Sequence, residues 1–125
     1  MISFNNLGNL GRLANQMFQY ASLKGIARNR GYEFSIPPVN VFGKRDPVVA
    51  TAELNIYDVF GLDKKNKVGL IPNQLLAERM HTFDAELFEN CPDNIDIFGY
   101  YQTHKYFEHI EDEIREDFTF DPQLV

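Results

Sequence analysis

The N-terminal part of the chain contains two short apolar segments separated by a long helical pattern. The spacing of apolar positions predicts a buried strand over residues 1–4 and a helix over residues 15–30. Apolar side chains nearly encircle this helix, so we expect neighbouring elements to cover most of it. Gly31 predicts its end, and residues 32–36 alternate as a strand does. Strand, helix and strand in this order predict a crossover between parallel strands and therefore an α/β fold.

The middle of the chain has a weaker pattern. Residues 40–47 are predicted to form a loop, and residues 73–80 a short helix. Residues 64–67, Lys-Lys-Asn-Lys, are predicted to form a solvated turn because a run of like charges is most stable in water. Residues 52–62 mix polar and apolar positions. The core contacts expected within them are Tyr57, Val59 and Phe60.

The pattern becomes clear again towards the C-terminus. Residues 95–100 predict another strand, and Thr103 follows as a good N-cap for a final helix. One face of that helix is expected to be apolar and to consist of Phe107, Ile110, Ile114 and Phe118. The other faces are expected to meet solvent because they carry acidic side chains. These are Glu108, Glu111, Asp112, Glu113, Glu116 and Asp117.

The turn between the first strand and the first helix carries the candidate chemistry. A strand–loop–helix unit aims backbone N–H groups and the positive end of the helix dipole at one point, which favours an anion such as phosphate. Residues 8–14, Gly-Asn-Leu-Gly-Arg-Leu-Ala, match neither the P-loop nor the glycine spacing of the dinucleotide motif. Arg12, Asn15 and Gln16 instead offer side chains that can hold a charged sugar nucleotide. Asn15 is also expected to cap the helix.

Two separated motifs resemble signature segments of one enzyme family. Residues 11–21, Gly-Arg-Leu-Ala-Asn-Gln-Met-Phe-Gln-Tyr-Ala, are similar to the pattern Gly-x-Leu-Gly-Asn-Gln-Met-x-x-Tyr-Ala of the α-1,2-fucosyltransferases of glycosyltransferase family eleven. Ala14 stands where that family usually has glycine. Residues 97–102, Ile-Phe-Gly-Tyr-Tyr-Gln, followed by Lys-Tyr-Phe at 105–107, resemble the family's Phe-Gly-Tyr-x-Gln segment before a helix. Two motifs in the right order are much harder to obtain by accident than either alone.

The resemblance implies a Rossmann-like parallel sheet flanked by helices, as in the N-terminal lobe of a B-type glycosyltransferase. It also implies transfer of L-fucose from GDP-fucose to the 2-hydroxyl of a galactose-containing glycan acceptor, by an inverting single displacement that needs no metal and no cofactor. The catalytic residues stay unassigned, with Arg12 and His104 as candidates. The predicted substrate-binding residues are Gly11, Arg12, Asn15, Gln16, Tyr100, Tyr101 and Gln102.

The strongest signature of that family, His-x-Arg-Arg-x-Asp, is missing, and no Arg-Arg pair occurs in the 125 residues. In the family this motif lies in the C-terminal half, and its arginines are thought to bind the donor diphosphate. We therefore expect residues 1–125 to be the N-terminal lobe of a fucosyltransferase whose C-terminal donor-binding lobe is absent. The isolated chain is expected to lack useful transferase activity.

Composition limits the other classes of function. The formal net charge of −6 argues against sequence-independent binding to nucleic acid. Cys91 is the single cysteine, so no internal disulfide can form, and we expect a small, semi-buried apolar side chain. The sequence shows neither a signal peptide nor the ~20 consecutive apolar residues that a membrane span needs. The predicted location is cytoplasmic, with peripheral membrane association of a longer enzyme left open.

Other clusters of ionisable residues carry weaker signals. The histidines lack the spacing that would specify a metal site; they are His81, His104 and His109. Acidic pairs that resemble glycosidase carboxylates are expected to be surface charges. Examples are Asp84 with Glu86 and Glu111 with Asp112.

Two functions from other classes stay open at this point. The chain fits a small nucleotide-binding oxidoreductase module if Glu33, after the second strand, binds the ribose of NAD(P). The glycine spacing argues against that function. The chain also fits a non-catalytic interaction domain descended from a transferase.

Overall fold

The computed structural model of the protein shows a parallel β-sheet with helices packed against it, which confirms the predicted α/β class. The structure describes residues 1–8, 10–38, 56–62, 66–69 and 74–119. The predicted loop over residues 40–47 lies outside these ranges, as do Lys64 and Lys65 of the predicted solvated turn.

The described residues form four short strands in one sheet. They are β1 (Ile2–Ser3), β2 (Phe34–Ser35), β3 (Gln74–Ala77) and β4 (Ile95–Phe98). Their order across the sheet is β2-β1-β4-β3, and every neighbouring pair is parallel. Ile2 lies opposite Phe34 on one side and Ile95 on the other, so apolar side chains of three strands share one face. The carboxyl ends of β1 and β4 therefore lie side by side.

One long helix stands at the centre of the helical layer. The described helices are α1 (Leu13–Arg30), α2 (Ile56–Phe60), α3 (Ala85–Asn90) and α4 (Glu111–Asp117), with 3₁₀ turns at His104–Tyr106 and Glu108–Ile110. All residues of α1 from 19 to 27 are buried, which confirms that neighbouring elements cover most of this helix. It begins at Leu13, two positions before the predicted start, and its C-cap is Gly31 as predicted.

Both direct crossovers move the chain in the same direction across the sheet. The connection from β1 to β2 contains α1, and the connection from β3 to β4 contains α3. Right-handed crossovers in the same direction place their helices on the same face of a parallel sheet. In agreement, the Asn29 side chain on α1 donates to the carbonyl oxygen of Phe88 on α3, at 2.9 Å. The resulting core joins the sheet, α1 and α3.

A partly buried polar cluster fastens α4 to α1. The ammonium group of Lys24 lies 2.6 Å from Asp117 Oδ2, and the Tyr20 hydroxyl donates to the same oxygen at 2.8 Å. Asn66 Nδ2 donates to the Tyr20 oxygen at 3.0 Å. Burial and the nearby Asp117 carboxylate both raise the pKa of Tyr20, so the phenol stays protonated. The expectation that Asp117 faces solvent was wrong, because its carboxylate neutralises a buried lysine.

The middle of the chain differs from the prediction. Residues 73–80 were predicted to be helical, but Gln74–Ala77 forms β3 and pairs with β4 along its whole length. Gln, Leu and Ala favour helices in isolation, so pairing with a buried neighbouring strand overrides the local preference. The short helix α3 was not predicted. Its N-cap, Asp84, accepts a hydrogen bond from the Leu87 amide at 3.2 Å.

The predicted final helix begins as two 3₁₀ turns before α4. Thr103 caps the first turn, since its hydroxyl oxygen accepts from the Lys105 amide at 3.4 Å. Ile114 of the predicted apolar face is buried, whereas Phe107 and Phe118 are partly buried against the core. The predicted core contacts of residues 52–62 are confirmed: Tyr57, Val59 and Phe60 are all buried. Among the described residues, no helix combines the length and apolar character that spanning a membrane requires.

Candidate functional site

The two motifs lie at the same edge of the sheet. The first follows β1, and the second begins in β4 and continues into the segment after it. These strands are neighbours, and open parallel sheets bind ligands in the crevice outside the carboxyl ends of their strands. The loops after β1 and β4 therefore form the candidate site.

A hydrogen bond joins the motifs directly. Gln102 Nε2 donates to Asn15 Oδ1 at 2.5 Å, across 87 positions of sequence. Gln102 is exposed and Asn15 is partly exposed, so both amides can also reach a ligand. The contact brings together two side chains that sequence analysis assigned to one site from separate segments.

Gly11 shapes the entrance to α1. Its φ is +79°, and a Cβ placed on it would lie 2.7 Å from Asn15 Nδ2 and 2.8 Å from Asn15 Cβ. Any side chain at position 11 would therefore displace Asn15 as well as strain the backbone. Arg12 is the exposed N-cap residue, so the expectation that Asn15 caps α1 was wrong. Ala14 lies inside the first turn of the helix, where alanine is favourable.

Gln16 holds the loop in place from inside the protein. Its Nε2 donates to the Gly11 carbonyl oxygen at 3.0 Å, and its Oε1 accepts from the Ile56 amide at 2.9 Å. Gln19 is also buried, and it donates to the Leu10 carbonyl oxygen at 3.0 Å. Because both ends of the Gln16 amide already bind backbone groups, its observed role is to position the loop. Gln16 contributes to the site by holding Gly11 in place, because its own side chain is buried and does not face a ligand.

The two tyrosines of the second motif occupy different environments. Tyr100 is 43% exposed, so its ring is available to a ligand at the edge of the site. Tyr101 is completely buried and packs edge-on against Phe4 and Tyr106, with ring centroids 6.2 and 5.6 Å away. Burial and the nearby Glu78 carboxylate raise the pKa of Tyr101. The Tyr101 ring therefore belongs to the core, and Tyr100 presents the exposed aromatic face.

Glu78 is a positioning residue that sequence analysis missed. Its two carboxylate oxygens accept from the amides of Tyr100 and Tyr101, each at 3.1 Å. Its own amide donates to the Phe98 carbonyl oxygen at 2.7 Å, which extends the pairing of β3 with β4. Tyr101 has a φ of +50°, which is uncommon for a bulky residue, and the carboxylate holds this turn in place. No local pattern shows this role, because the partners are 22 and 23 positions away.

Asp96 is a second acidic residue near this edge that sequence analysis did not select. It lies in β4 and is buried, and its Oδ1 accepts from the Asn5 amide at 2.7 Å and the Ser3 hydroxyl at 3.4 Å. Burial raises the pKa of Asp96 despite these two hydrogen bonds. It ties the first residues of the loop after β1 to β4. The available signal was a carboxylate between isoleucines in a predicted strand.

His104, the acid–base candidate, is exposed at the start of the first 3₁₀ turn, and its Nε2 lies 3.2 Å from Glu108 Oε2. His109 has a structural contact, with its Nε2 3.0 Å from the Gly25 carbonyl oxygen. Within the described ranges, no cluster of three or more histidine, cysteine or acidic side chains is arranged to hold a metal ion. His104 thus stays a candidate by its position beside the second motif.

Asp84 was expected at the surface but is buried. Burial alone would raise the pKa of Asp84, yet hydrogen bonds from Arg79 and the Leu87 amide outweigh it and hold the pKa below the usual value. The guanidinium nitrogens of Arg79 lie 2.8 and 3.1 Å from Asp84 Oδ2. Cys91 is buried, as a small apolar side chain would be, and burial raises its pKa to about 11. Neither residue has the environment of a reactive group.

Glu33 lies at the wrong end of β2 for the oxidoreductase alternative. It precedes the strand Phe34–Ser35, and its carboxylate lies 3.4 Å from Lys67 Nζ. A ribose-binding acid follows its strand, at the carboxyl edge where the cofactor lies. The position of Glu33 therefore does not provide the contact that a dinucleotide needs.

Comparison of the chain with protein-family models, with curated proteins and with solved structures finds no match. Two features of the chain therefore bear on its function, the two sequence motifs and the geometry at the sheet edge. That geometry consists of the exposed Arg12 at the start of a long helix, the contact between the Asn15 and Gln102 amides, and the exposed Tyr100 in the segment after β4.

Proposed function

We propose that this chain takes part in transferring L-fucose from GDP-fucose to the 2-hydroxyl of a galactoside, by an inverting single displacement. The observation that carries the proposal is the hydrogen bond between Asn15 and Gln102. Each residue belongs to a motif that resembles the α-1,2-fucosyltransferases, and the fold brings the two motifs together at the sheet edge. Under this proposal the chain is a Rossmann-like lobe of a B-type glycosyltransferase, which the parallel sheet and the β1–α1–β2 crossover support.

The displacement requires stabilisation of the departing diphosphate. Arg12 is exposed at the start of α1, where its guanidinium and the helix dipole act in the same direction on an anion. We assign to it a contact with a phosphate oxygen of the donor. A planar fork of donors can bind two oxygens at once, which a lysine at this position cannot do.

The displacement also requires that the attacking hydroxyl be held in line. Asn15 and Gln102 each present a side-chain amide, and together they can donate to and accept from neighbouring sugar hydroxyls. The exposed ring of Tyr100 offers an apolar face of the kind that packs against a sugar ring. Contacts within the protein position these groups. Gln16 and Gly11 hold the loop that carries Asn15, and Glu78 holds the turn at Tyr100 and Tyr101. The base that removes the hydroxyl proton is not assigned, and His104 is the residue to test first.

Ligand titrations followed by amide NMR signals test this proposal. We expect GDP-fucose and lactose to shift the signals of Arg12, Asn15 and Gln102, and GDP-fucose to bind more tightly than NAD. Arg12→Gln should weaken GDP-fucose binding about 10-fold, as loss of a charge-assisted contact predicts. Arg28→Gln is the matched control, because Arg28 is exposed near the C-terminal end of α1 and pairs with Glu113. Tighter binding of NAD, or no response to either sugar ligand, would refute the proposal.

A further inference from the structure

An apolar groove runs along α1 beside the candidate site. Its volume is about 340 Å³, and its apolar lining comes from α1, the segment between the 3₁₀ turns, and α4 with the residue after it. The apolar residues are Ala14, Met17, Phe18, Phe107, Ile114 and Phe118. The rings of Phe18 and Phe107 both line the groove and pack against each other, with centroids 6.1 Å apart. A groove of this size fits a small ligand, since pockets for such ligands occupy roughly 300–1,000 Å³.

The charges at the groove neutralise each other. The two charged residues that line it, Glu111 and Arg115, form an ion pair with 2.6 Å between Oε1 and Nη2. The groove therefore presents apolar surface and a paired charge, which disfavours an ionic ligand. A stable protein partner would cover about 800 Å² per side, much more than this groove offers. Its shape and chemistry favour an alkyl or aryl group.

The groove and the polar contact share one turn of helix. Ala14 lines the groove, and the next residue, Asn15, bonds to Gln102 at the polar site. Phe18 lies four residues after Ala14, about 6 Å along the helix axis. A ligand with sugar hydroxyls at Asn15 and Gln102 can thus extend an apolar group over Ala14 towards Phe18.

We propose that this groove binds the apolar aglycone of the acceptor, so that the preferred acceptor is a galactoside with an alkyl or aryl group. This inference rests on the proposed function, because it places the sugar at the Asn15–Gln102 contact. The groove adds a second requirement to acceptor recognition. The sugar fixes orientation through hydrogen bonds, and the aglycone contributes affinity by burying apolar surface.

Binding of methyl β-galactoside, octyl β-galactoside and 1-octanol to the whole chain tests the inference, with octyl β-galactoside kept below its micelle threshold. We expect octyl β-galactoside to bind roughly 100-fold more tightly than methyl β-galactoside if about half of the alkyl carbons are buried. It should shift NMR signals of both Phe18 and Gln102. Of these two signals, methyl β-galactoside should shift only that of Gln102, and 1-octanol should shift only that of Phe18.

A charge at the mouth of the groove provides the decisive variant. Ala14→Glu keeps a helix-compatible residue and places an acid in the first turn, where the helix dipole favours it. We expect it to reduce the affinity ratio of octyl to methyl β-galactoside at least 10-fold. Ala85→Glu is the matched control, because Ala85 is the exposed first residue of α3, outside the groove. That variant should leave the ratio unchanged, and thermal unfolding should confirm that both variants fold.

The outcomes separate the two proposals. If methyl β-galactoside binds but the octyl form binds no more tightly, the groove assignment is wrong and the proposed function stands. If octyl β-galactoside and 1-octanol bind equally tightly and the Gln102 signal does not shift, the galactoside is not recognised through its sugar. Both the assignment of the groove to an acceptor aglycone and the proposed function are then wrong. Sedimentation that shows self-association abolished by Ala14→Glu would assign the groove to a second copy of the chain and overturn the inference.

Discussion

Substituting Gly25 tests how closely the first 3₁₀ turn, His104–Tyr106, packs on α1. Gly25 lies in the buried part of α1, and a Cβ placed on it would lie 1.9 Å from the Tyr106 carbonyl oxygen. The same Cβ would lie 2.7 Å from the Tyr106 carbonyl carbon and 2.9 Å from Phe107 Cα. All three atoms belong to the backbone, so no side-chain rotation can relieve the contact. Gly25→Ala must therefore push the turn away from the helix.

Two opposite effects determine the size of the change. Alanine is favoured over glycine in a helix interior by about 1 kcal/mol. An ordinary carbon–oxygen contact needs about 3.3 Å, so the turn has to move by more than 1 Å, and overpacking of this kind costs about 1–3 kcal/mol. The shift also weakens the 2.8 Å hydrogen bond from the Asp84 amide to the Tyr106 hydroxyl, which contributes about 1 kcal/mol. We expect Gly25→Ala to lower the free energy of unfolding by about 2 kcal/mol.

Urea and thermal unfolding of three glycine variants measure this effect. Gly25→Ala should lower Tm by about 5–12 °C. At Gly69 an added Cβ would meet no atom within 4 Å, and the backbone is not left-handed, so Gly69→Ala should stay within about 0.5 kcal/mol of the native protein. Gly31 also has open space but a φ of +70°, so Gly31→Ala should cost about 1 kcal/mol from the backbone alone. Native stability in Gly25→Ala would refute the close packing, and an equal loss at Gly69 would show that the contact is not the cause.

The other predictions concern the candidate site and two buried groups. A double-mutant cycle of Asn15→Ala and Gln102→Ala should give a coupling of about 0.5–1 kcal/mol in urea unfolding, and additive effects would contradict the contact. Cys91 should react with a disulfide reagent at pH 8 roughly 100-fold more slowly than free cysteine, because it is buried and its pKa is about 11; rapid labelling of the folded chain would contradict this. The folded-state pKa of Asp84 is lowered, so its stabilisation is present above the unfolded-state value and lost as the pH falls through the folded one. Asp84→Asn keeps the helix cap but loses the charge that pairs with Arg79, so it should cost about 1 kcal/mol at pH 7 and flatten the loss of stability in acid; an unchanged acid profile would count against this pairing.

The sequence predicted those parts of the fold in which one periodicity dominates. Residues 15–30 have apolar positions all round the helix, and α1 is indeed buried on every side over residues 19–27. Ile95 and Ile97 flank a single acid, and β4 forms there as expected. In these segments local preference and tertiary packing agree, so a pattern within one segment is sufficient.

Other features depend on partners that are distant in sequence. Residues 74–77 form a strand only because β4 provides a hydrogen-bonding edge, and nothing in Gln-Leu-Leu-Ala itself favours that state. Glu78 follows that strand, and its role in holding Tyr100 was hidden by the same error. Asp84 was expected at the surface because it is acidic and lies near Glu86. Its burial is favourable because Arg79, five residues earlier, pairs with its carboxylate.

The candidate site shows the same division. Sequence motifs selected Asn15 and Gln102 separately, but only the parallel pairing of β1 with β4 explains why they meet. The motifs could not distinguish exposed Tyr100 from buried Tyr101, because adjacent residues after a strand point in directions that the turn decides. The left-handed φ of Tyr101 and the Glu78 carboxylate set that turn.

Under the two proposals, the residues of α1 that support the core are separate from those that would bind ligands. Its middle, residues 19–27, is buried all round, so substitutions there act on folding. Its first turns carry the exposed Arg12, the Asn15–Gln102 contact and the groove at Phe18. The central helix is therefore rigid where it supports the core, and its N-terminal end presents polar and apolar groups at a fixed spacing. Under the two proposals, this arrangement would discriminate ligands by the distance between their sugar and their apolar group, because the helix cannot adjust that distance without disturbing its buried half.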